Sequence, residues 1–341
     1  MTALVLVLAA CAADPVDSAD PAISEPAGSQ TAEAGTVTIY SGRSEELVGP
    51  LLENFTEATG IDVEARYGDT AEMANLILTE GENSPADVFF AQDAGALGAV
   101  AEQGLLAPLP EEILGAVDER FKSPNGEWVG VSGRARVVTY NTDNLSEEDL
   151  PDSIFGFTDP AWSGRIGWAP TNGSFQSFVT ALREIEGEDR AREWLEGIQA
   201  NEPSVYEGNN PALDAVIAGE VDVAFINHYY LMQRLEEDPD AAAANLFLTD
   251  GDPGALVNVA GAGILNTAAN DEAARELVAF LLSEQAQEYF ASETKEYPLI
   301  EGVEPDADMP SLDEIGMPEI DLSDLSDLEG TLELLQDAGI L

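Results

Sequence analysis

The fold of this chain is decided by the stretch Val221-Asp-Val-Ala-Phe-Ile-Asn-His-Tyr-Tyr-Leu-Met-Gln-Arg234. Its first part, up to Ile226, is an apolar run with the length and β-branched content of a buried strand, and the part after Tyr230 predicts the first turns of a helix. Because α/β proteins bind ligands at the carboxyl ends of strands, the adjacent Tyr229 and Tyr230 lie where a binding site is expected.

The tyrosine pair has two interpretations. Neighbouring side chains converge on one ligand only at a turn or a strand end, and a phenolate is a hard oxygen donor. Losing the phenol proton at pH 7 costs about 4 kcal/mol per tyrosine, and a trivalent cation such as Fe(III) offsets that cost because a coordinating metal inverts the local pKa logic. In the alternative, both rings pack against apolar neighbours or line a pocket for an organic ligand.

Strands and helices alternate along the rest of the chain, and this order predicts an α/β fold with a mainly parallel sheet. The pattern predicts strands at Thr36 to Tyr40, Ile61 to Tyr67, Asp87 to Phe90, Trp128 to Asn141 and Val257 to Leu265. It predicts helices at Glu45 to Thr59, Thr70 to Leu78, Ala94 to Gln103, Phe175 to Ile185, Glu188 to Ala200, Pro211 to Ile217, Asp271 to Phe290 and Leu328 to Leu335.

The charge balance limits the possible partners. With 13 Lys+Arg against 66 Asp+Glu the formal net charge is -53, which disfavours nucleic acid and the surface of anionic membranes as partners. The same balance suggests a strongly solvated acidic surface of the kind found in saline habitats. This hypothesis predicts unfolding on transfer to low salt, and melting that does not change with salt would contradict it.

Cysteine and histidine are each present once, as Cys11 and His228. No intrachain disulfide can form, and zinc sites with several histidines and Ser-His-Asp triads are disfavoured. Because the side chain of His228 is expected to point away from at least one of its neighbours, we expect a hydrogen-bonded structural histidine rather than a ligand.

The N-terminal segment resembles a lipoprotein leader. The apolar residues end in Leu8-Ala-Ala-Cys11, which is similar to a lipobox. We expect residues 1–11 to be a lipoprotein signal segment, Cys11 to carry the lipid anchor, and residues 12–35 to be a disordered acidic tether. The anchor would be the only membrane contact. The alternative is a cysteine that occurs by chance in an apolar leader.

A family resemblance rests on several motifs together. The sequence Asn-x-Tyr-Tyr after an apolar strand is similar to the tandem-tyrosine motif of ferric-iron-binding periplasmic proteins of ABC transporters. The resemblance runs from about Thr36 to the C-terminus and includes Tyr40-Ser-Gly-Arg-Ser44, Asn83-Ser-Pro-Ala-Asp-Val-Phe-Phe90, Gly133-Arg-Ala-Arg-Val137 and Glu207-Gly-Asn-Asn210.

The resemblance implies a two-lobed type II periplasmic binding protein fold. Each lobe would be a mainly parallel sheet flanked by helices, and two crossover strands would form the hinge. Residues 36–138 and 258–300 would form lobe 1, residues 139–257 lobe 2, and residues 301–341 an acidic C-terminal tail with a terminal helix. We expect a monomer without enzymatic activity that carries ferric iron outside the cytoplasm to a membrane permease.

The expected metal ligands are Tyr229 and Tyr230, and a second set of residues is expected to bind an anion. Gly42, Arg43 and Ser44 follow the first strand, where backbone amides and one guanidinium favour carbonate, citrate or phosphate. A helix cap beside an exposed arginine is the alternative.

Further anion donors are expected later in the chain. In relatives the position that matches Arg134 is associated with a synergistic anion, whereas we expect a structural role for Arg136. A structural ion pair is the alternative for Arg134. Ser174 and Asn209 lie near helix starts and are expected to donate to the same anion, with plain helix capping as the alternative.

The chain also departs from the family pattern. Many relatives carry a histidine, sometimes followed by a tyrosine, where this chain has Ser44 and Glu45. Gln92 stands at the place of a glutamate ligand, and Phe175 at that of a third tyrosine. Fe(III) prefers six donors, so either anions complete the shell or the ligand is an intact ferric chelate. In a third possibility, another anionic solute has replaced iron.

Two rival functions remain open at this point. In one, the same fold binds a small anionic solute between Arg43 and Arg134 without metal, and the two tyrosines serve as walls. The other is a metal-dependent hydrolase. No nucleophile motif, phosphate-loop pattern or His/Asp/Glu cluster with ligand spacing in the sequence supports an enzyme.

Overall fold

The structure is a computed structural model that describes residues 35–306 and 309–341. The expected signal segment, the lipidation site Cys11 and all of the tether except Gly35 lie outside the described residues.

The described residues form ten strands, and every strand predicted from the sequence is present within a few residues. In chain order the strands are β1 (Thr36–Ser41), β2 (Asp62–Tyr67), β3 (Val88–Ala91), β4 (Trp128–Asn141), β5 (Ile166–Trp168), β6 (Ser204–Val205), β7 (Val223–Asn227), β8 (Ala243–Leu246), β9 (Val257–Ile264) and β10 (Tyr297–Pro298).

Helices flank these strands. In the same described ranges they are α1 (Glu45–Thr59), α2 (Thr70–Glu80), α3 (Ala94–Glu102), α4 (Glu111–Leu114), α5 (Gly173–Glu186), α6 (Glu188–Ala200), α7 (Asn209–Ile217), α8 (Tyr229–Glu237), α9 (Asp271–Leu281), α10 (Glu284–Tyr289), α11 (Leu312–Ile315) and α12 (Leu328–Asp337). No helix among the described residues is both long enough and apolar enough to cross a membrane.

The strands follow the order β2-β1-β3-β9-β4-β7-β5-β6, and β10 and β8 pair with β4 off this path. Parallel pairs form the two outer parts: β1 lies between β2 and β3, and β5 lies between β6 and β7. The central strands β9 and β4 run antiparallel to their neighbours. The predicted α/β fold is confirmed, and the sheet is mixed: its two outer parts are parallel and its centre is antiparallel.

Strand β4 changes partners along its length. Its residues from Trp128 to Ala135 pair with β9, and those from Arg136 to Tyr140 pair with β7. All of β4 is buried. Arg134 and Arg136 therefore lie on either side of the point where the chain passes from one part of the sheet to the other.

One helix prediction is wrong. The stretch from Asp271 to Phe290 does not form one helix, because α9 ends at Leu281 and α10 begins at Glu284. Ser283 caps the second helix by accepting a hydrogen bond from the Ala286 amide, and serine is a favoured residue for this position. The chain then makes a π-helical turn, Phe290–Thr294, that ends at Lys295 with a positive φ of 59°.

The C-terminal segment, Leu322 to Asp337, packs on helices that flank the two outer parts of the sheet. Its first turn, Leu322–Ser326, packs on α3 and on α5, and α12 packs on α5. A Cβ at Gly95 of α3 would lie 2.3 Å from the Leu325 carbonyl oxygen, so only glycine permits this approach. This segment thus connects the helix that follows β3 with the helix that follows β5.

Candidate metal centre

The two tyrosines lie at the junction of β7 and α8. The strand ends at Asn227 and the helix begins at Tyr229, as the sequence predicts. The rings of Tyr229 and Tyr230 stack with centroids 4.3 Å apart and planes inclined by 29°. Tyr229 is only 7% exposed. The adjacent phenols therefore share one region of space, as a common ligand requires.

Burial controls the acidity of Tyr229. Loss of solvation raises the pKa of this phenol well above its ordinary value, the Tyr230 hydroxyl raises the pKa further, and the guanidinium of Arg134 lowers it. Without a ligand Tyr229 is protonated at neutral pH. A multiply charged cation is the kind of partner that would displace this proton.

His228 immediately precedes the tyrosines and is fully buried. Its Nδ1 accepts a hydrogen bond from the Ala135 amide at 3.1 Å, and its Nε2 lies 2.8 Å from the Lys295 carbonyl oxygen. Burial lowers the pKa of His228 to about 4, so the ring is neutral. Both nitrogens are occupied by backbone groups, which leaves neither for a metal.

Arg43 forms a buried ion pair that the sequence did not indicate. Its two terminal nitrogens donate to the carboxylate of Glu296 at 2.8 and 2.9 Å, and both side chains are buried. Ser132 and Thr294 also donate to Glu296. Burial alone would raise the pKa of Glu296, but Arg43 holds it below its ordinary value. The expected role of Arg43 toward an anion stays a prediction, and its guanidinium is already neutralised.

Arg134 is in a different situation although it is 2% exposed. Its Nη2 donates to the backbone carbonyl of Gln92, and its Nε has no hydrogen-bond partner. Among the described residues it forms no ion pair. It lines a cavity of about 530 Å³. A buried cation without a carboxylate partner beside a cavity is suited to binding an anion.

Arg136 is held by the protein itself. Its Nη2 donates to the Phe225 carbonyl at 2.7 Å, its Nη1 donates to Asn227 at 3.1 Å, and its guanidinium lies 5.5 Å from the ring centroid of Phe178. Burial lowers the pKa of Arg136 to about 9. These contacts agree with the structural role expected for this residue, and its charge adds to that of Arg134.

The N-terminus of α5 supplies the polar network on the same side. Asn172 caps the helix and accepts hydrogen bonds from the Ser174 amide at 3.0 Å and the Ser174 hydroxyl at 2.6 Å. Asn209 donates to the Ser174 hydroxyl at 3.3 Å, and its own Oδ1 is buried without a partner. The structure brings Ser174 and Asn209 together, and their contact with an anion stays a prediction.

The loop after β1 brings Gly42 to the cavity wall. The Gly42 amide donates to the Phe90 carbonyl at 2.8 Å, and a Cβ at Gly42 would lie 2.8 Å from the Thr70 Cα. Only glycine fits between these neighbours. Ser44 is exposed at the start of α1 and its side chain makes no capping hydrogen bond. Anion binding at Gly42 and Ser44 likewise stays a prediction.

Several positions depart from the ligand pattern of the family, and the structure shows where their residues lie. Phe175 is fully buried, with its ring centroid 5.6 Å from that of Trp168. Glu45 is exposed, and Gln92 lines the cavity. Nowhere in residues 35–306 and 309–341 do three or more His, Cys, Asp or Glu side chains form a group that could hold a metal. That Tyr229 and Tyr230 are the metal ligands stays a prediction.

The comparisons with known proteins agree with this geometry. Residues 83–325 match the family model described as bacterial extracellular solute-binding protein. The chain is 35% identical over 311 residues to the major ferric iron-binding protein of Neisseria meningitidis serogroup B. This alignment covers 89% of this chain and 93% of that protein.

Two solved structures are similar over nearly their whole length. Iron-bound HitA from Pseudomonas aeruginosa superposes with a TM-score of 0.83 at 36% identity, covering 89% of this chain and 99% of HitA. The Trichodesmium protein IdiA (FutA), in complex with iron and citrate, gives a TM-score of 0.78 at 30% identity, covering 90% and 100%. The expected type II periplasmic binding protein fold is confirmed, and the chain belongs to the bacterial extracellular solute-binding protein family.

Proposed function

We propose that this protein is the solute-binding component of an ABC importer that binds ferric iron, together with an anion or as a ferric chelate, and delivers it to a membrane permease. The observation that carries the proposal is the stacked, buried pair Tyr229 and Tyr230 at the end of β7. Relatives named for ferric iron binding and iron uptake support it. No chemistry on the ligand is part of this function.

The charges around the tyrosines support the participation of an anion. Arg43 is neutralised by Glu296, whereas neither Arg134 nor Arg136 forms an ion pair among the described residues. A ferric ion would bring three positive charges, and two tyrosinates would offset two of them. The excess positive charge is more than the nearby Asp93 offsets, even when its carboxyl is ionised. An anion such as citrate, carbonate or phosphate completes both the charge balance and the metal shell.

The proposed site lies between two lobes, formed by residues 36–138 with 258–300 and by residues 139–257. The change of partners in β4 between Ala135 and Arg136 supports a crossover three residues before this boundary. Hinge closure would bring the Gly42 loop toward α5 around the ligand. Residues 301–341 would follow as the acidic C-terminal tail with its terminal helix.

Membership of the extracellular solute-binding family places the protein outside the cytoplasm. Its oligomeric state and its attachment to the membrane are proposals. We propose that the protein acts as a monomer and is held at the membrane by a lipid on Cys11. The fit of Leu8-Ala-Ala-Cys11 to a lipobox supports the anchor.

A spectroscopic titration tests the iron proposal. Metal-free protein titrated with ferric citrate is expected to develop a tyrosinate-to-iron charge-transfer band in the visible range, and the Tyr229→Phe, Tyr230→Phe double variant is expected to lack it. Tyr206→Phe is the matched control, since the ring of this tyrosine packs beside Gly167 of β5. A parent protein with neither a band nor a thermal shift on adding iron would contradict the proposal.

A second function is favoured by one specific observation. The buried guanidinium of Arg134, which forms no ion pair among the described residues, fits a small anionic solute bound without metal. In that case calorimetry with citrate, phosphate or carbonate alone would give the same affinity with and without iron, and Arg134→Ala would abolish it.

A further inference from the structure

The cavity beside Arg134 is larger than a ferric ion with a small anion requires. Its volume of about 530 Å³ falls within the range of about 300–1,000 Å³ typical of sites for whole organic ligands. Helices α2 and α3 form one wall, the N-terminal turns of α5 form another, and the C-terminal segment covers the space between them.

The two ends of the cavity differ in chemistry. At one end the lining is polar, with Arg134, Gln92, Asp93 and the first turn of α5. The tyrosines do not line the cavity themselves, and this end is related to them through Arg134, whose charge acts on Tyr229. The other end is apolar and is lined by Ala74, Leu78, Ala96, Ala99, Leu325 and Leu328. A small hydrophilic anion would use only the first end.

Exposed apolar side chains are concentrated at the apolar end. Four large hydrophobic residues are exposed in the described ranges, and two of them, Leu78 at 36% and Leu328 at 37%, line this cavity. The chain carries a net charge of -53, so its surface is otherwise dominated by carboxylates. Paired exposed leucines on such a surface indicate a place that an apolar group covers.

The protein keeps this cavity open by its own contacts. The turn Leu322–Ser326 packs on both α3 and α5, which form opposite walls. Thr180 of α5 lies 2.7 Å, hydroxyl to hydroxyl, from Thr331 of α12, and Arg183 donates to Asp327 at 2.9 Å. Because one segment is fixed to both walls, closing the cleft around the tyrosines does not require the apolar end to collapse.

We propose that the apolar end of this cavity is a subsite for the carbon body of an organic iron chelator. The proposal rests on the proposed function and specifies its ligand class: a ferric complex whose chelator has anionic oxygen donors on an aromatic or aliphatic body. The oxygens face Arg134 and the iron, and the body packs against Leu78, Ala99 and Leu328.

The test compares two ferric complexes that differ in apolar surface, those of 2,3-dihydroxybenzoate and of citrate, by isothermal titration calorimetry on the full chain. Ala99→Phe fills the apolar end from α3. Ala58→Phe is the matched control, because Ala58 is an exposed alanine of α1 that lines no part of the cavity. Loss of ring burial is expected to weaken the dihydroxybenzoate complex about tenfold in Ala99→Phe, while citrate binding stays within about twofold and Ala58→Phe changes neither.

A second variant covers the case in which Ala99→Phe disturbs α3. Leu78→Ser removes apolar surface at an exposed position, so folding is retained, and the dihydroxybenzoate complex is expected to bind a few-fold more weakly. Unchanged affinity of both variants for the ferric dihydroxybenzoate complex would overturn the subsite. Leu78 and Leu328 would then be assigned to contact with a partner protein. An equal loss for both complexes would overturn it as well, because the cavity would then not distinguish chelators.

The failure of this subsite and the failure of the proposed function can be told apart. If the parent binds ferric citrate with a tyrosinate band while the dihydroxybenzoate complex is insensitive to both variants, only the subsite is wrong. If no ferric complex binds the parent, both are wrong.

Discussion

Two sides of the tyrosine site use the same kinds of residue in opposite ways. On the packed side, defined by Arg43, His228 and Glu296, the two terminal nitrogens of Arg43 pair with the Glu296 carboxylate and both ring nitrogens of His228 meet backbone groups, whereas the Nε of Arg43 has no partner. On the open side, defined by Arg134 and the cavity beside it, a buried guanidinium forms no ion pair among the described residues. A buried ion pair holds the packed side together, and a guanidinium without an ion pair leaves a charge available to a ligand.

The packed side also fixes the helix that carries the tyrosines. Gln233 of α8 donates to the Thr294 carbonyl at 3.1 Å, and Lys295 pairs with Glu236 of the same helix at 2.5 Å. Lys295 and Glu296 thus fix α8 and Arg43 from adjacent positions of one turn. The tyrosines are oriented by this turn before any ligand arrives.

The largest effect is expected from breaking the packed side. Glu296→Gln leaves the charge of Arg43 buried without a counter-ion, which is expected to lower the free energy of unfolding by about 3–5 kcal/mol. Denaturant unfolding of the metal-free protein measures this. The control is Glu293→Gln, an exposed carboxylate three residues away that should change stability by less than about 0.5 kcal/mol. Equal effects from both substitutions would contradict a structural role specific to Glu296.

An intermediate effect is expected from pH, through His228. Its pKa of about 4 lies below the ordinary value of 6.5. Between these two pH values the histidine is therefore protonated in the unfolded chain but not in the folded chain. Stability from the neutral ring is present above pH 6.5 and is lost as pH falls toward 4, by up to about 3 kcal/mol. The parent minus His228→Gln difference in unfolding free energy should therefore shrink between pH 7 and 4.5. A difference that stays constant over this interval would be inconsistent with a buried neutral histidine.

The same titration separates His228 from Glu296. Because Arg43 holds the pKa of Glu296 below its ordinary value, the stability from this carboxylate is present above the unfolded pKa and is lost as pH falls through the lower folded value. Its loss therefore begins where that of His228 is nearly complete. His228 is the only histidine of the chain, so no other histidine contributes to the first phase.

The smallest effect on stability, with a clear effect on binding, is expected on the open side. Arg134→Gln removes an unpaired buried charge, so the free energy of unfolding should change by less than about 1 kcal/mol. Affinity for ferric citrate should fall by about 10- to 100-fold, the value of one or two charge-assisted hydrogen bonds. Arg190→Gln, on the exposed face of α6, is the control for net charge. Strong destabilisation with unchanged affinity would assign Arg134 to the packed side instead.

The sequence predicted most of the elements that position the site. Helix α1 begins and ends as predicted, since Gly60 adopts the left-handed conformation that ends it. Strand β4 has its predicted bounds, and the strand-to-helix junction places Tyr229 at the first position of α8. These features depend on the periodicity of apolar residues and on residues that favour the ends of helices. Both can be recognised from neighbouring positions in the sequence.

Long-range pairing could not be predicted in the same way. Arg43 pairs with Glu296 across 253 positions, and nothing distinguishes Glu296 from the other acidic residues of a chain with 66 of them. The break before Ser283 was missed because the apolar spacing continues through it, so only the capping hydrogen bond reveals the second helix. The cavity was missed because its walls come from four separate segments.

By itself the sequence determined the α/β order, the strand that ends in two tyrosines and the scarcity of basic residues, because these are properties of neighbouring residues and of composition. Only the tertiary structure decided that Arg43 is neutralised, that Arg134 is not, and that the C-terminal segment keeps a partly apolar cavity open beside it. The physical reason is that desolvation and charge pairing depend on which distant groups share a buried volume.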